Sequence, residues 1–278
     1  MAKTARSEAP ARGRRADAET WREARLARSR HGIVYDVHGP RVRLGVLWFV
    51  AILATLVVST VAAAVLLAGV AALAGAQTAR ALRTRRLHPA PTLAAAIAGA
   101  IPLAAVLGAG AAGAAVLGSV VVAAAAAIRS PGSLPPVVTA GALVRAGVFA
   151  GVGAASIVLL ALIDVGAAIT LVVLVSAYET GDFLVGSGAA NVVEGPVAGL
   201  VALAVVGGWV VLLQPPPFEG AEALLMVVLV AGFAPVGQLV ASAILPRAGA
   251  PAPALRRLDS YLVTGPVWLV VLWWGLGA

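Results

Sequence analysis

The chain has 278 residues, of which 61% are hydrophobic and only 12% charged, with no cysteine and a formal net charge of +8. About a quarter of a soluble domain is charged, so this balance excludes one and points to an integral membrane protein. The lack of cysteine excludes disulfides, thiolate catalysis and thiolate-bound metals, and the three histidines, His31, His38 and His88, all sit in polar segments, which excludes a histidine metal cluster within the membrane.

The apolar residues are mainly Ala, Val and Leu, accompanied by 31 Gly. Small residues let transmembrane helices approach closely, and no ten-residue alternating segments of a barrel are present, so the expected fold is all-α, a polytopic helical bundle. The basic residues set its orientation. Of 20 Lys and Arg, 11 precede Leu44, four lie between Arg80 and Arg86, and the rest are Arg129, Arg145, Arg247, Arg256 and Arg257. They punctuate apolar runs, which is the positive-inside pattern of a topology signal and not a nucleic-acid surface.

Residues 1–43 form a polar, basic arm with no secretory signal, expected to be cytoplasmic and partly disordered, with a short headgroup-binding helix at 18–26 as the structured alternative. The transmembrane domain is expected to cover 44–278. The apolar run 44–76 exceeds a span of about 20 residues, so Ser59-Thr60 is the expected meeting point of two helices, with one tilted helix as the alternative. After Pro89-Ala90-Pro91, residues 93–128 read as a second pair turning at Gly108-Ala109-Gly110. Segments 147–163 and 165–177 read as a third pair with Asp164 at its outer end. Spans at 196–213, 222–244 and 261–276 complete about nine transmembrane helices, with the N-terminus and every basic residue cytoplasmic and the protein in the cell's inner (plasma) membrane. The Ala, Arg and Gly bias fits a GC-rich bacterial genome.

Two polar islands interrupt this pattern. One runs from Tyr178-Glu179-Thr180-Gly181-Asp182 to Asn191 and Glu194-Gly195-Pro196; the other is Arg256-Arg257-Leu258-Asp259-Ser260-Tyr261. Charges at a membrane edge are a functional-site hypothesis by default, and both islands are expected on the same face. Paired arginines can grip phosphate, and a carboxylate can hold Mg2+. The same residues also read as structure: packing glycines at Gly181, Gly186, Gly188, Gly195 and Gly199, a helix start at Glu194-Gly195-Pro196, and an N-cap at Asp259.

The segment Leu255-Arg256-Arg257-Leu258-Asp259-Ser260 with Pro266 behind it resembles the C-terminal signature of the phosphatidate cytidylyltransferases, which join CTP and phosphatidic acid into CDP-diacylglycerol. Gly237-Gln238-Leu239 with Ser242, and Ala177-Tyr178 with Gly181 and Phe183, are similar to further pieces of that pattern, and Gln77 falls where the family carries a polar pair. Arg256 and Gln238 stand where the family has acids, and its lysine-rich and His-Gly-Gly segments have no counterpart. The resemblance implies Asp259 as catalytic residue and metal ligand, with Tyr178, Gly181, Ser242, Arg256, Arg257 and Ser260 binding substrate; Asp182, Glu194 and Glu179 are the carboxylates that would complete a rebuilt metal site if the two islands touch. It implies Mg2+ as cofactor if the protein is active, membrane lipids (an anionic phospholipid or phosphatidic acid) as partners, CTP as a further ligand, and a homodimer. The departures from the signature favour a catalytically degenerate member. An active cytidylyltransferase with a rebuilt metal site is the alternative, and a small-solute transporter is less favoured, since its spans would lack buried charge.

Overall fold

The computed structural model describes Ile33 and residues 41–84, 87–129, 134–189 and 191–275. The expected helix at 18–26 lies outside these residues, as does most of the basic arm. The described residues contain no strand and fold into α1 (Arg41–Val58), α2 (Thr60–Leu82), α3 (Pro91–Ala105), α4 (Ala109–Arg129), α5 (Pro136–Ile163), α6 (Val165–Gly186), α7 (Glu194–Leu213), α8 (Ala221–Ile244), a 3-10 turn (Leu255–Arg257) and α9 (Tyr261–Gly275). Among them α2 and α4 through α8, six in all, are long and apolar enough to cross a membrane. The chain is an all-helical, multi-pass membrane protein.

Local chemistry explains where the helices break. Ser59 adopts extended backbone and its hydroxyl accepts the Ala62 N–H at 3.0 Å, capping α2. Asp164 does the same for α6, accepting the Ala167 N–H at 2.9 Å. Proline opens α3 and α5, where its missing N–H costs nothing. Gly108 turns the chain between α3 and α4 with φ +101°, a conformation that side chains resist.

The run 44–76 is two helices. Gly45, early in α1, lies beside Arg257, and Gln77, late in α2, bonds Ala254, so both ends of the pair return to the 3-10 turn while Ser59 sits at the far end. Three boundaries differ from the sequence reading: α2 continues through Gln77 and Arg80 to Leu82, α5 begins at Pro136, and α6 runs on to Gly186. The polar residues in these extensions are good helix formers or find partners on neighbouring helices, so a drop in hydropathy does not end the helix. The first island is therefore largely helical.

At the core is α5, which packs against α2, α3, α4, α6 and α9. Its neighbours approach through residues without side chains. A Cβ on Gly75 would fall 2.6 Å from the Ala94 carbonyl oxygen, and one on Gly181 would fall 2.5 Å from that of Ala198. Such approach maximises dispersion contact, which drives helix association where lipid removes the hydrophobic term. The contacts also fix the ends of the bundle. Arg145 meets residues 243–245, and Gly45 and Gln77 meet the 3-10 turn, whereas Gly166 meets Pro216 in the loop after α7. The described basic side chains thus gather at one end, with Asp164, Glu219 and Glu222 at the other.

Substituting Gly181 with Ala should lower stability by about 1–3 kcal/mol, because the methyl group meets backbone. Gly118, whose Cβ would meet open space, should tolerate the same change. Thermal unfolding of both variants in micelles checks this; equal midpoints would contradict the packing argument.

Candidate functional site

The two islands meet at the cation-rich end. Tyr178 and Asp182 are one helical turn apart on α6, as are Gln238 and Ser242 on α8, so each pair shares a face. The Tyr178 hydroxyl donates to Gln238 Oε1 at 3.2 Å, and Gln238 Nε2 donates to Asp182 Oδ2 at 2.9 Å. All three side chains are buried. Gly199 makes room for this arrangement, since a Cβ there would fall 2.8 Å from the Tyr178 ring.

The second island closes over the end of α8. Arg145 Nη2 donates to the carbonyls of Ala243 at 2.6 Å and Leu245 at 3.1 Å, and Gln77 Oε1 accepts the Ala254 N–H at 2.9 Å. Within this frame Arg256 Nη1 donates to Ser242 Oγ at 3.1 Å, Nη2 donates to the Ala248 carbonyl at 2.7 Å, and Nη1 lies 3.7 Å from Asp259 Oδ2. Asp259 Oδ1 accepts the Ser260 N–H at 2.8 Å. Bare Gly237 lets this turn rest directly on α8, where a Cβ would collide with the Asp259 and Ser260 carbonyls.

Burial dominates the electrostatics of the turn. It pushes the Asp259 carboxyl up to about 6, against the opposing pull of Arg256 and the Ser260 amide, with Asp182 adding to the rise. Burial also lowers the Arg256 guanidinium, which Asp259 offsets. Glu179 lies within electrostatic reach of Asp259, Arg257 and Asp182 and pairs with the Ser260 side chain, while its Oε1 is buried with no hydrogen-bond partner among the described residues. Arg257 is half-buried, and its guanidinium makes no hydrogen bond or ion pair with the described residues.

Of the residues singled out in the sequence, Tyr178, Asp182, Ser242, Arg256, Asp259 and Ser260 come together through these contacts, with Arg257 at their margin. Gly181 has another place, against the α7 backbone. Glu194 is exposed in the first turn of α7 and makes no hydrogen bond or ion pair with the described residues, so it stands outside the cluster. Arg145 and Gln77 hold the corner in place, yet in the sequence each is a lone polar group with no periodic signal. Glu179 is legible there as a spare carboxylate next to Tyr178.

Among the described residues no three of His, Cys, Asp or Glu are placed to hold a metal ion. One oxygen of Asp182 is occupied by the Gln238 amide, and Asp259 is turned to Arg256 and to the Ser260 amide. No family model, curated protein or solved structure matches the chain.

Burial makes the two arginines unequal in stability. Arg256→Ala strands the buried Asp259 charge and should cost about 3–5 kcal/mol, whereas Arg257→Ala, which breaks no ion pair and only weakens the longer-range compensation of Glu179, should cost less, about 1–2 kcal/mol. Because the folded chain holds the Asp259 proton more tightly than the unfolded chain, this group's contribution is fully present below about pH 4 and is lost as the pH rises through about 6. Asp259→Asn should flatten that slope in unfolding midpoints measured across the window, and an unchanged slope would place the titration elsewhere.

Proposed function

We propose that the chain is a divergent relative of the phosphatidate cytidylyltransferases whose polar corner binds the phosphate of an anionic phospholipid or nucleotide and no longer transfers a nucleotidyl group. The observation that carries this reading is the contrast between the two adjacent arginines. Arg256 is consumed by Ser242, Ala248 and Asp259, and Arg257 keeps its donors among the described residues. A guanidinium offers forked donors matched to phosphate, and Gly45 beside it leaves space that a side chain would fill.

The loss of transfer follows from charge. Nucleotidyl transfer needs divalent metal on the triphosphate and carboxylates to hold it. In this corner a neutral amide and a buried cation occupy positions beside the carboxylates, so the acids are compensated by the protein itself. The gathering of cations at this end supports its facing the cytoplasm, with the N-terminal arm on the same side in a plasma membrane.

The experiment has two arms, both on the full chain in nanodiscs. Phosphatidic acid should bind in preference to phosphatidylcholine, and Arg257→Gln should weaken that binding by roughly tenfold, the loss of one charge-assisted pair. Radiolabelled CTP with phosphatidic acid and Mg2+ should yield no lipid-soluble label. Label that Asp259→Ala abolishes would replace this reading with an active transferase, and phosphatidic acid binding unchanged by Arg257→Gln would remove the phosphate site.

A further inference from the structure

The polar corner holds a second group with unused bonding capacity, and it is an acid. Glu179 follows Tyr178 on α6; its carboxylate pairs with the Ser260 side chain, while Oε1 is buried with no hydrogen-bond partner among the described residues. A bare buried acceptor keeps the full cost of leaving water. The donors around it are already committed. The Tyr178 hydroxyl goes to Gln238, Tyr261 pairs with Ser176, and Arg256 is divided among Ser242, Ala248 and Asp259. Arg257 keeps its donors among the described residues and lies within electrostatic reach of Glu179 without bonding to it.

The charges that Glu179 meets do not balance. Asp259 and Asp182 act on it with the same sign, and Arg257 with the opposite one. A phosphate drawn to the Arg257 guanidinium takes up the cation that compensates Glu179, so a plain phosphate ester leaves this buried acid worse matched than before. A ligand that brings its own cation beside the phosphate restores the balance. That cation has to donate, because Oε1 is an acceptor; a primary ammonium carries three N–H donors, and full methylation removes them all. The source is indicated by the surroundings. Arg257 lies beside Gly45, whose neighbours Leu44, Val46 and Leu47 on α1 are exposed apolar side chains, so this margin of the corner borders lipid.

We propose that the corner recognises a phospholipid headgroup bearing a primary ammonium, with its phosphate on Arg257 and its ammonium on Glu179 Oε1. The assignment rests on the phosphate reading of Arg257 and adds a second contact that selects among phosphate esters. Ethanolamine joins the two charges by a short linker, so both must be met within one corner, and the two uncommitted groups there are of opposite sign. Phosphatidic acid offers only the phosphate, and phosphatidylcholine offers a cation without donors.

The test uses the full chain in nanodiscs holding equal parts of two lipids with identical acyl chains, with bound lipid read by native mass spectrometry. Phosphatidylethanolamine should be retained about tenfold over phosphatidylcholine, the worth of one charge-assisted hydrogen bond, with the mono- and dimethylated headgroups in between. Glu179→Gln should abolish this preference and lower phosphatidylethanolamine relative to phosphatidic acid, whereas Arg257→Gln should weaken both lipids. The methylation series is read on the unaltered chain, so a misfolded Glu179→Gln does not end the test. Equal retention of phosphatidylethanolamine and phosphatidylcholine by the unaltered chain, as a buried water on Oε1 would give, overturns the ammonium contact. A preference undiminished in folded Glu179→Gln overturns it as well. Displacement of the bound lipid by water-soluble phosphoethanolamine overturns the membrane as the source. A preference that Glu179→Gln removes and Arg257→Gln leaves intact sinks the phosphate reading while upholding the ammonium contact, which keeps the two failures apart.

Discussion

Arg256 is the residue on which the organisation of the polar end depends. A guanidinium taken out of water is costly unless its donors are used, and here they are spent on Ser242 at the end of α8, on the Ala248 carbonyl in the loop after it, and on Asp259 beyond the 3-10 turn. One side chain therefore ties three consecutive segments to one point. Arg145 and Gln77 act in the same sense from α5 and α2, each supplying a group that the backbone of the loop lacks. The result is a loop rich in Pro and Ala that has a defined path without secondary structure of its own.

Beneath this cap, the helices are held by their smallest residues. Gly75 against Ala94, Gly181 against Ala198 and Gly237 against the carbonyls of Asp259 and Ser260 bring backbones into direct contact, and these approaches determine which polar side chains can reach one another. Tyr178 and Gln238 meet because α7 leaves the Tyr178 ring its place over Gly199. Where the small residues face outward, as along α4, the same economy of volume leaves surface that no protein neighbour fills, and a cleft beside Gly113, between α4 and α9, is one outcome.

Two further contacts explain how the corner tolerates its buried acids. The Gln238 amide bridges the Tyr178 hydroxyl and the Asp182 carboxylate, joining two helices through a neutral group. Arg256 likewise sets a positive charge beside the Asp259 carboxylate. Both contacts lower the cost of burying Asp182 and Asp259. Beside them stands Arg257, whose guanidinium makes no hydrogen bond or ion pair with the described residues.

The amino-acid sequence alone determined the membrane class, the helical fold and most of the helix breaks, because those arise from short-range chemistry. Hydropathy sets the spans, Ser59 and Asp164 cap the helices that begin beside them, and Gly108 permits its turn. It also located the two polar islands, since charge is conspicuous between apolar runs. What only the tertiary structure decided is how those residues are used. Gly181 packs against a helix, Glu194 stands apart in the open, and adjacent Arg256 and Arg257 have opposite fates, one clasped and one left with its donors unspent among the described residues. Local pattern carries none of this, because each outcome depends on which distant backbone or side chain arrives within about 3 Å. In a bundle of near-identical apolar helices that is settled by where glycines allow approach, a property of pairs of helices and not of any one stretch of chain.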